Sequence, residues 1–246
     1  MSRASSGRTL GNPAGEVKVH AFMVKKAGLS DEDFHSHWRD PHGHLAMRVT
    51  EIIRYVQDHT YGTDPQFEGW APLIYQGLPA VWFTDIGTAT GLHSNPDFQE
   101  SHADEENLVE RDQLGWLRST EIVLVTGPPL AADDPERWKL TLLLGADPSG
   151  DADAFPRAVV DVVREVVDTL PALVRATVSL PRPDQYTHTP PLFDAVVEFA
   201  FASRGDLEAA TASAGFRRRG LPSIERLVQP GRSSAAWTYE ERWIWP

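Results

Sequence analysis

Nine histidines occur in the chain, and four of them fall in one short stretch, DFHSHWRDPHGHL, from Asp33 to Leu45. Free imidazole titrates near pH 6.5 (about), so it can exchange a proton at neutral pH or ligate a metal. A metal centre needs three or four convergent ligands. His35 with His37, and His42 with His44, are spaced by two, which points each pair apart on a helix, and no HExxH spacing occurs. A metal would need a non-helical His42-Gly43-His44 turn joined by His59 or a carboxylate. Acid–base chemistry asks for less: a base, an acid and a hydrogen-bond donor around one ligand. The stretch IIRYVQDHTY offers them, because strand alternation puts Ile53, Tyr55, Gln57, His59 and Tyr61 on one face.

His42 and His59 are therefore the expected base and acid, in either order, with Tyr55 donating to a carbonyl or phenolate. Trp38, Gln57 and Tyr61 are expected to line the ligand site with Trp82 or Phe83, which alternate and so point to opposite faces of their strand. Asp104 and Glu105 lie on an acidic helix whose default is a solvated face; Asp104 is the one that could reach inward and orient an imidazole. His35, His37 and His44 are expected at the surface. No metal and no bound cofactor enter this reading, and no G-x-G-x-x-G, Walker or G-x-S-x-G pattern occurs.

The elements that must position these residues read as two similar halves. VKVHAFMVKK alternates as a strand, and Ser30 then caps a helix carrying Phe34 and Trp38, with Asp33 in the capping-box position. Pro41 disfavours helical geometry at Asp40, which predicts a bend there. EIIRYVQDHTYG and PAVWFTDIG follow as strands, NPDFQESHADEENLVERD as a helix and TEIVLVTG as a strand. The second half repeats the order from RWKLTLLLGA to AAWTYEERWIW. An offset of 121 residues places Phe34 on Phe155, Leu45 on Val166 and Ile53 on Val174, while Trp38, His42, Tyr55 and His59 fall on Val159, Val163, Ala176 and Leu180. One half keeps polar chemistry where the other has packing.

The expected fold class is thus α+β, two tandem ferredoxin-like (βαββαβ) domains, residues 16–126 and 137–246, forming an intramolecular α+β barrel. Residues 1–15 read as a disordered leader and 127–136 as a Pro- and acid-rich linker. The space between the two sheets is the expected ligand pocket. A net charge of −12 argues against nucleic acid or an anionic membrane as partner. The absence of cysteine excludes disulfides and thiolate chemistry. With no apolar span or signal peptide, a cytoplasmic protein acting on a small molecule is expected; a homodimer is left open.

The ordered set Phe34, Trp38, His42, then Tyr55-Val56-Gln57 with His59, then Ala103-Asp104-Glu105 resembles the EthD family over about residues 16–126. His44 departs from it, standing where the family usually has proline. The resemblance implies a ferredoxin-like α+β barrel built from two copies. The wider superfamily includes cofactor-free monooxygenases, isomerases, cyclases, dehydratases and haem enzymes, so fold kinship does not choose the reaction. The expectation is a cofactor-free lyase using histidine acid–base catalysis on an aromatic or polyketide-like substrate. The rivals are a cofactor-independent or haem-dependent monooxygenase and a non-catalytic binding or stress-response module.

Overall fold

The computed structural model describes residues 15–60, 67–127 and 137–244. Tyr61, nearly all of the expected leader and all of the expected linker but Gly127 lie outside them. Eight strands alternate with helices: β1 (Val17–Phe22), α1 (Asp31–His37), α2 (Gly43–Ala46), β2 (Arg54–Thr60), β3 (Ala80–Phe83), α3 (Ile86–Gly91), α4 (Pro96–Leu108) and β4 (Gly115–Val125) come first. β5 (Arg137–Leu144), α5 (Phe155–Val167), β6 (Leu173–Pro181), β7 (Ala195–Phe201), α6 (Arg204–Ala212), α7 (Leu221–Glu225) and β8 (Ser234–Ile244) follow. All strand pairs are antiparallel, and they close a barrel in the order β1-β3-β2-β8-β5-β7-β6-β4. The first four strands run β4-β1-β3-β2 and the last four β8-β5-β7-β6; the pairs β2–β8 and β4–β6 join them into one ring.

Alternation along each strand divides the residues between two environments. Leu140, Leu142, Val197, Phe199 and Val178 face outward, where Val159, Val160, Val163 and Val166 of α5 and Leu207 of α6 cover them in one apolar core. The residues aligned by the 121-residue offset with Trp38, His42 and Tyr55 are thus dry packing: Val159, Val163 and Ala176 are all buried there.

The barrel interior is not the expected ligand pocket. It is closed by ionic side chains from the alternate positions. Lys139 Nζ lies 2.9 Å from Asp58 Oδ2, 2.9 Å from Glu198 Oε1 and 2.6 Å from Glu240 Oε2. Lys18 Nζ lies 2.8 Å from Glu121 Oε1 and also pairs with Glu198. Burial works to neutralise Lys139, but the three carboxylates outweigh it and hold its pKa well above that of a free lysine. Burial raises Asp58 above the usual carboxylate range despite Lys139. The void left among these groups is about 20 Å³, room for about one water. Trp82 belongs to this interior, its ring 4.7 Å below Lys18 Nζ.

Candidate active site

The cavity of consequence lies on the opposite side of the first four strands, between their outer face and the helices. It measures about 210 Å³. Val19, Ala21 and Met23 of the β1 edge, Val81 and Phe83 of β3, and Leu92, Phe98 and Val109 from the helical layer give it an apolar wall. The polar side chains on that wall are His42, Tyr55, His93, Ser101, His102, Glu105 and Arg118.

The helix that delivers His42 begins at Ser30, whose Oγ accepts from Asp33 N at 3.0 Å and donates to Asp33 Oδ2 at 2.7 Å. This serine N-cap starts α1 and sends Phe34 and Trp38 inward; the Asp33 carboxylate takes the Ser30 hydroxyl proton and not the Ser30 backbone N–H that a capping box would bond. The chain leaves helical geometry at Asp40 (φ −149°, ψ 116°), the residue before Pro41, and resumes it at His42. The break is the one expected of a pre-proline residue, and it swings His42 into the wall. Close approach of Trp38 to the strand layer depends on Gly77: a Cβ there would stand 2.8 Å from Trp38 Cζ3.

His42 Nδ1 lies 3.0 Å from Asp104 Oδ2, and His37 Nε2 lies 3.0 Å from Asp104 Oδ1. A carboxylate can only accept, so each nitrogen carries the proton it donates. In the neutral imidazole this is the Nδ1–H tautomer, which leaves Nε2 its lone pair; among the described residues Nε2 has no hydrogen-bond partner. Asp104 is held far below the usual carboxylate range, chiefly by the hydrogen bond from His42, with Asn107 and His37 adding to it against the cost of burial. The result is an anion, a fixed imidazole and a basic nitrogen on the wall of an apolar cavity, the arrangement that orients a general base.

Tyr55 is buried on the same wall. Its hydroxyl accepts from Gln57 Nε2 at 2.9 Å, which leaves its own proton to be donated. Burial raises the phenol well above its ordinary pKa, so it remains a neutral donor through the physiological range.

His59 does not share the cavity with His42. It is fully buried, its ring 4.4 Å from that of Trp38, which does line the cavity. His59 Nδ1 is 2.8 Å from His35 Nδ1, and its Nε2 is 3.2 Å from Gln57 Oε1 and 3.6 Å from Glu241 Oε2. Two ring nitrogens can bond only if one is protonated and the other is not, so a proton on Nε2 makes His59 accept from His35. Burial lowers the pKa of His59. Burial first, then His59, lowers that of His35 to about 4. Both imidazoles are therefore neutral at pH 7 and act as struts beneath Trp38. Gln57 is a strut too, donating to Trp38 O at 2.8 Å.

The polar face of β2 thus meets α1 and not the barrel interior. Its polar atoms are tolerated in a helix–sheet layer because the helix supplies partners for them, His35 and the Trp38 carbonyl. His35, expected at the surface, is buried for this reason. His37 is half-buried on Asp104, whereas His44 is exposed with its ring edge-on to Trp243. Of the expected ligand-lining residues, Trp38 and Phe83 reach the cavity, Gln57 and Asp104 stand behind it, and Trp82 faces the barrel interior.

Residues 26–112 match the family model described as the EthD domain. This segment is an EthD domain. It contains His42, Tyr55, Asp104 and the whole apolar floor beneath them except the β1 edge and β4. Three solved structures share the fold over more than nine-tenths of the chain. A candidate monooxygenase from Fusobacterium nucleatum subsp. nucleatum is 10% identical, with 92% of this chain and 93% of that one covered and a TM-score of 0.59. A candidate monooxygenase from Lactobacillus acidophilus is 8% identical, with 93% and 94% covered and a TM-score of 0.53. An anthrone oxidase-like protein is 8% identical, with 94% of each chain covered and a TM-score of 0.63. At these identities the likeness is one of fold. No curated protein sequence matches the chain.

Glu105, like His35, is a residue of the EthD domain that sequence reasoning left on the surface. It lines the cavity, with His102 Nδ1 2.8 Å from its Oε2. Burial pushes its carboxyl up to about 7, Asp104 adding to the rise and Arg111 opposing it. The signal was available in part: Asp104 and Glu105 are adjacent on α4, about 100° apart around the helix axis, so both can face inward only if the helix edge is itself buried. Among the described residues no three His, Asp or Glu side chains are grouped to hold a metal, and no helix is long and apolar enough to cross a membrane.

Proposed function

We propose that this protein is a cofactor-free enzyme in which His42, oriented by Asp104, removes a proton from carbon next to the carbonyl of a small aromatic or polyketide-like ketone. The observation that carries this reading is the His42 Nε2 lone pair on the wall of an apolar cavity, with its other nitrogen fixed 3.0 Å from Asp104. Tyr55, a neutral donor on the same wall, hydrogen-bonds the carbonyl oxygen as it becomes an enolate. Arg118, a guanidinium with no carboxylate partner among the described residues, favours an anionic or phenolic ligand. A cavity of about 210 Å³ is below the roughly 300–1,000 Å³ of drug-sized sites, which suits a compact substrate of about two fused rings. Expulsion of a β-substituent from the enolate makes the reaction a lyase reaction, and that is the outcome we favour. The first and second halves descend, on this reading, from one duplicated ferredoxin-like unit; the matching strand orders β4-β1-β3-β2 and β8-β5-β7-β6 support it. The proposed location is cytoplasmic.

A second fate for the same enolate is reaction with dioxygen. The fold shared with the anthrone oxidase-like protein and the two candidate monooxygenases favours that alternative. The test uses 1-tetralone, an enolisable two-ring ketone, in D2O. Wild type should exchange its C2 protons, followed by NMR, and His42→Ala should lower the rate by about 10²–10⁴-fold. Equal rates in the folded variant would sink the assignment. An oxygen electrode then separates the two fates: uptake matched to substrate loss selects the oxygenase.

A further inference from the structure

The wall that carries His42 also carries a second proton-bearing group, and an elimination needs two. Helix α4 presents Asp104 to the back of His42 and, one residue later, Glu105 to the cavity itself. Oε2 of Glu105 is buried and has no well-directed hydrogen bond among the described residues, although His102 Nδ1 is only 2.8 Å away. The groups that face it are His102 and Asp104 on its own helix, Arg111 just beyond that helix, which bonds His102 Nε2, and His42 and Arg118 across the cavity. Arg111 donates to His102 Nε2, so the neutral His102 ring carries its proton on Nδ1, off-axis to Oε2, and Oε1 has no partner among the described residues. A carboxylate so placed is poorly solvated, whereas a carboxylic acid keeps on Oε1 a proton to give.

We propose that Glu105 is the general acid of the site and that the substrate class is β-hydroxy ketones, which it dehydrates. This rests on the His42 reading above. His42 Nε2 takes the proton from the carbon next to the carbonyl, and the C=C bond forms toward the β-carbon. The bond from that carbon to its hydroxyl oxygen breaks with its electron pair. The Glu105 proton moves to that oxygen, and water departs. The proton held on His42 restores Glu105, so no oxidant or other co-reactant is consumed. Burial, which sets the carboxyl at about 7, keeps a useful fraction protonated at neutral pH, the condition for an efficient acid.

The experiment uses two probes in the full-length protein. 3-Hydroxy-1-tetralone loses water to give fluorescent 1-naphthol, and 3-fluoro-1-tetralone loses fluoride, a leaving group that needs far less help from an acid. Glu105→Gln keeps the size of the side chain and removes its transferable proton. Hydroxyl expulsion should fall about 100-fold or more, whereas fluoride expulsion should fall much less, so that the ratio of fluoride to hydroxyl expulsion rises at least about tenfold. Equal losses on both probes, or no loss on either, overturn the role of Glu105. A wild type that exchanges the C2 protons of 1-tetralone yet expels no hydroxyl also overturns it, and leaves the His42 reading standing. A wild type that neither exchanges nor eliminates overturns both.

Discussion

Asp104→Asn isolates the interaction on which the proposed base depends. Asp104 accepts from two imidazoles at once, His42 Nδ1 and His37 Nε2, each at 3.0 Å. The replacement amide has one accepting oxygen and one donating nitrogen. It can satisfy only one of the two histidines in its present tautomer and must push the other to present a lone pair. For His42 that means moving the proton to Nε2, which removes the basic nitrogen from the cavity. Even without a tautomer change, a charge-assisted bond of about 1.5–3 kcal/mol is exchanged for a neutral one of about 1 kcal/mol. The imidazolium formed in the reaction loses up to about 2 kcal/mol of stabilisation, a rate factor of up to about 30. A full tautomer switch carries the loss further, toward about 10⁴. Exchange of 1-tetralone C2 protons measures the rate, and long-range proton–nitrogen spectra of labelled protein read the His42 tautomer directly. A variant that exchanges within twofold of wild type, with His42 still protonated at Nδ1, would refute the reasoning.

Two further outcomes concern stability. Lys139→Met leaves Asp58 without a cation beside an apolar side chain, while Glu198 keeps Lys18 and Glu240 keeps Arg242; breaking a buried pair in this way costs about 3–5 kcal/mol. Urea unfolding at pH 8 should show that loss, and a smaller one at pH 5, where the stranded carboxylate takes up a proton. His35, lowered to about 4 in the folded protein from about 6.5 unfolded, should contribute a fall in stability as pH drops from about 6.5 to about 4. The sign follows because the unfolded chain binds the proton more tightly in that window. His35→Gln, compared with wild type in urea titrations at pH 7 and pH 4.5, should flatten that part of the profile; parallel profiles would show that His35 does not titrate with unfolding.

Much of the fold was legible because it is written in local periodicity. The order of strands and helices, the N-cap at Ser30, the break before Pro41 and the apolar character of the second half at the positions set by the 121-residue offset all follow from spacing along the chain. So does the presence of Tyr55, Gln57 and His59 on a single face of β2. What spacing cannot say is which side of the sheet that face meets. The reading placed it in the barrel, on the ground that it was too polar for a helix–sheet layer. That inference failed because polarity is a matter of partners: α1 offers the Trp38 carbonyl and His35, and the face becomes a hydrogen-bonded layer.

The sequence by itself determined the chemistry at hand: imidazoles near a tryptophan, a phenol on a strand, two carboxylates on a helix, and no thiol. Only tertiary structure decided which of these meet. It joined His42 to Asp104 across 62 residues, buried His59 behind Trp38, and put Glu105 at the cavity edge. The physical reason is that a side chain's protonation and reach depend on desolvation and on partners distant along the chain. Closing eight strands into one ring selects those partners, and no local pattern encodes the closure.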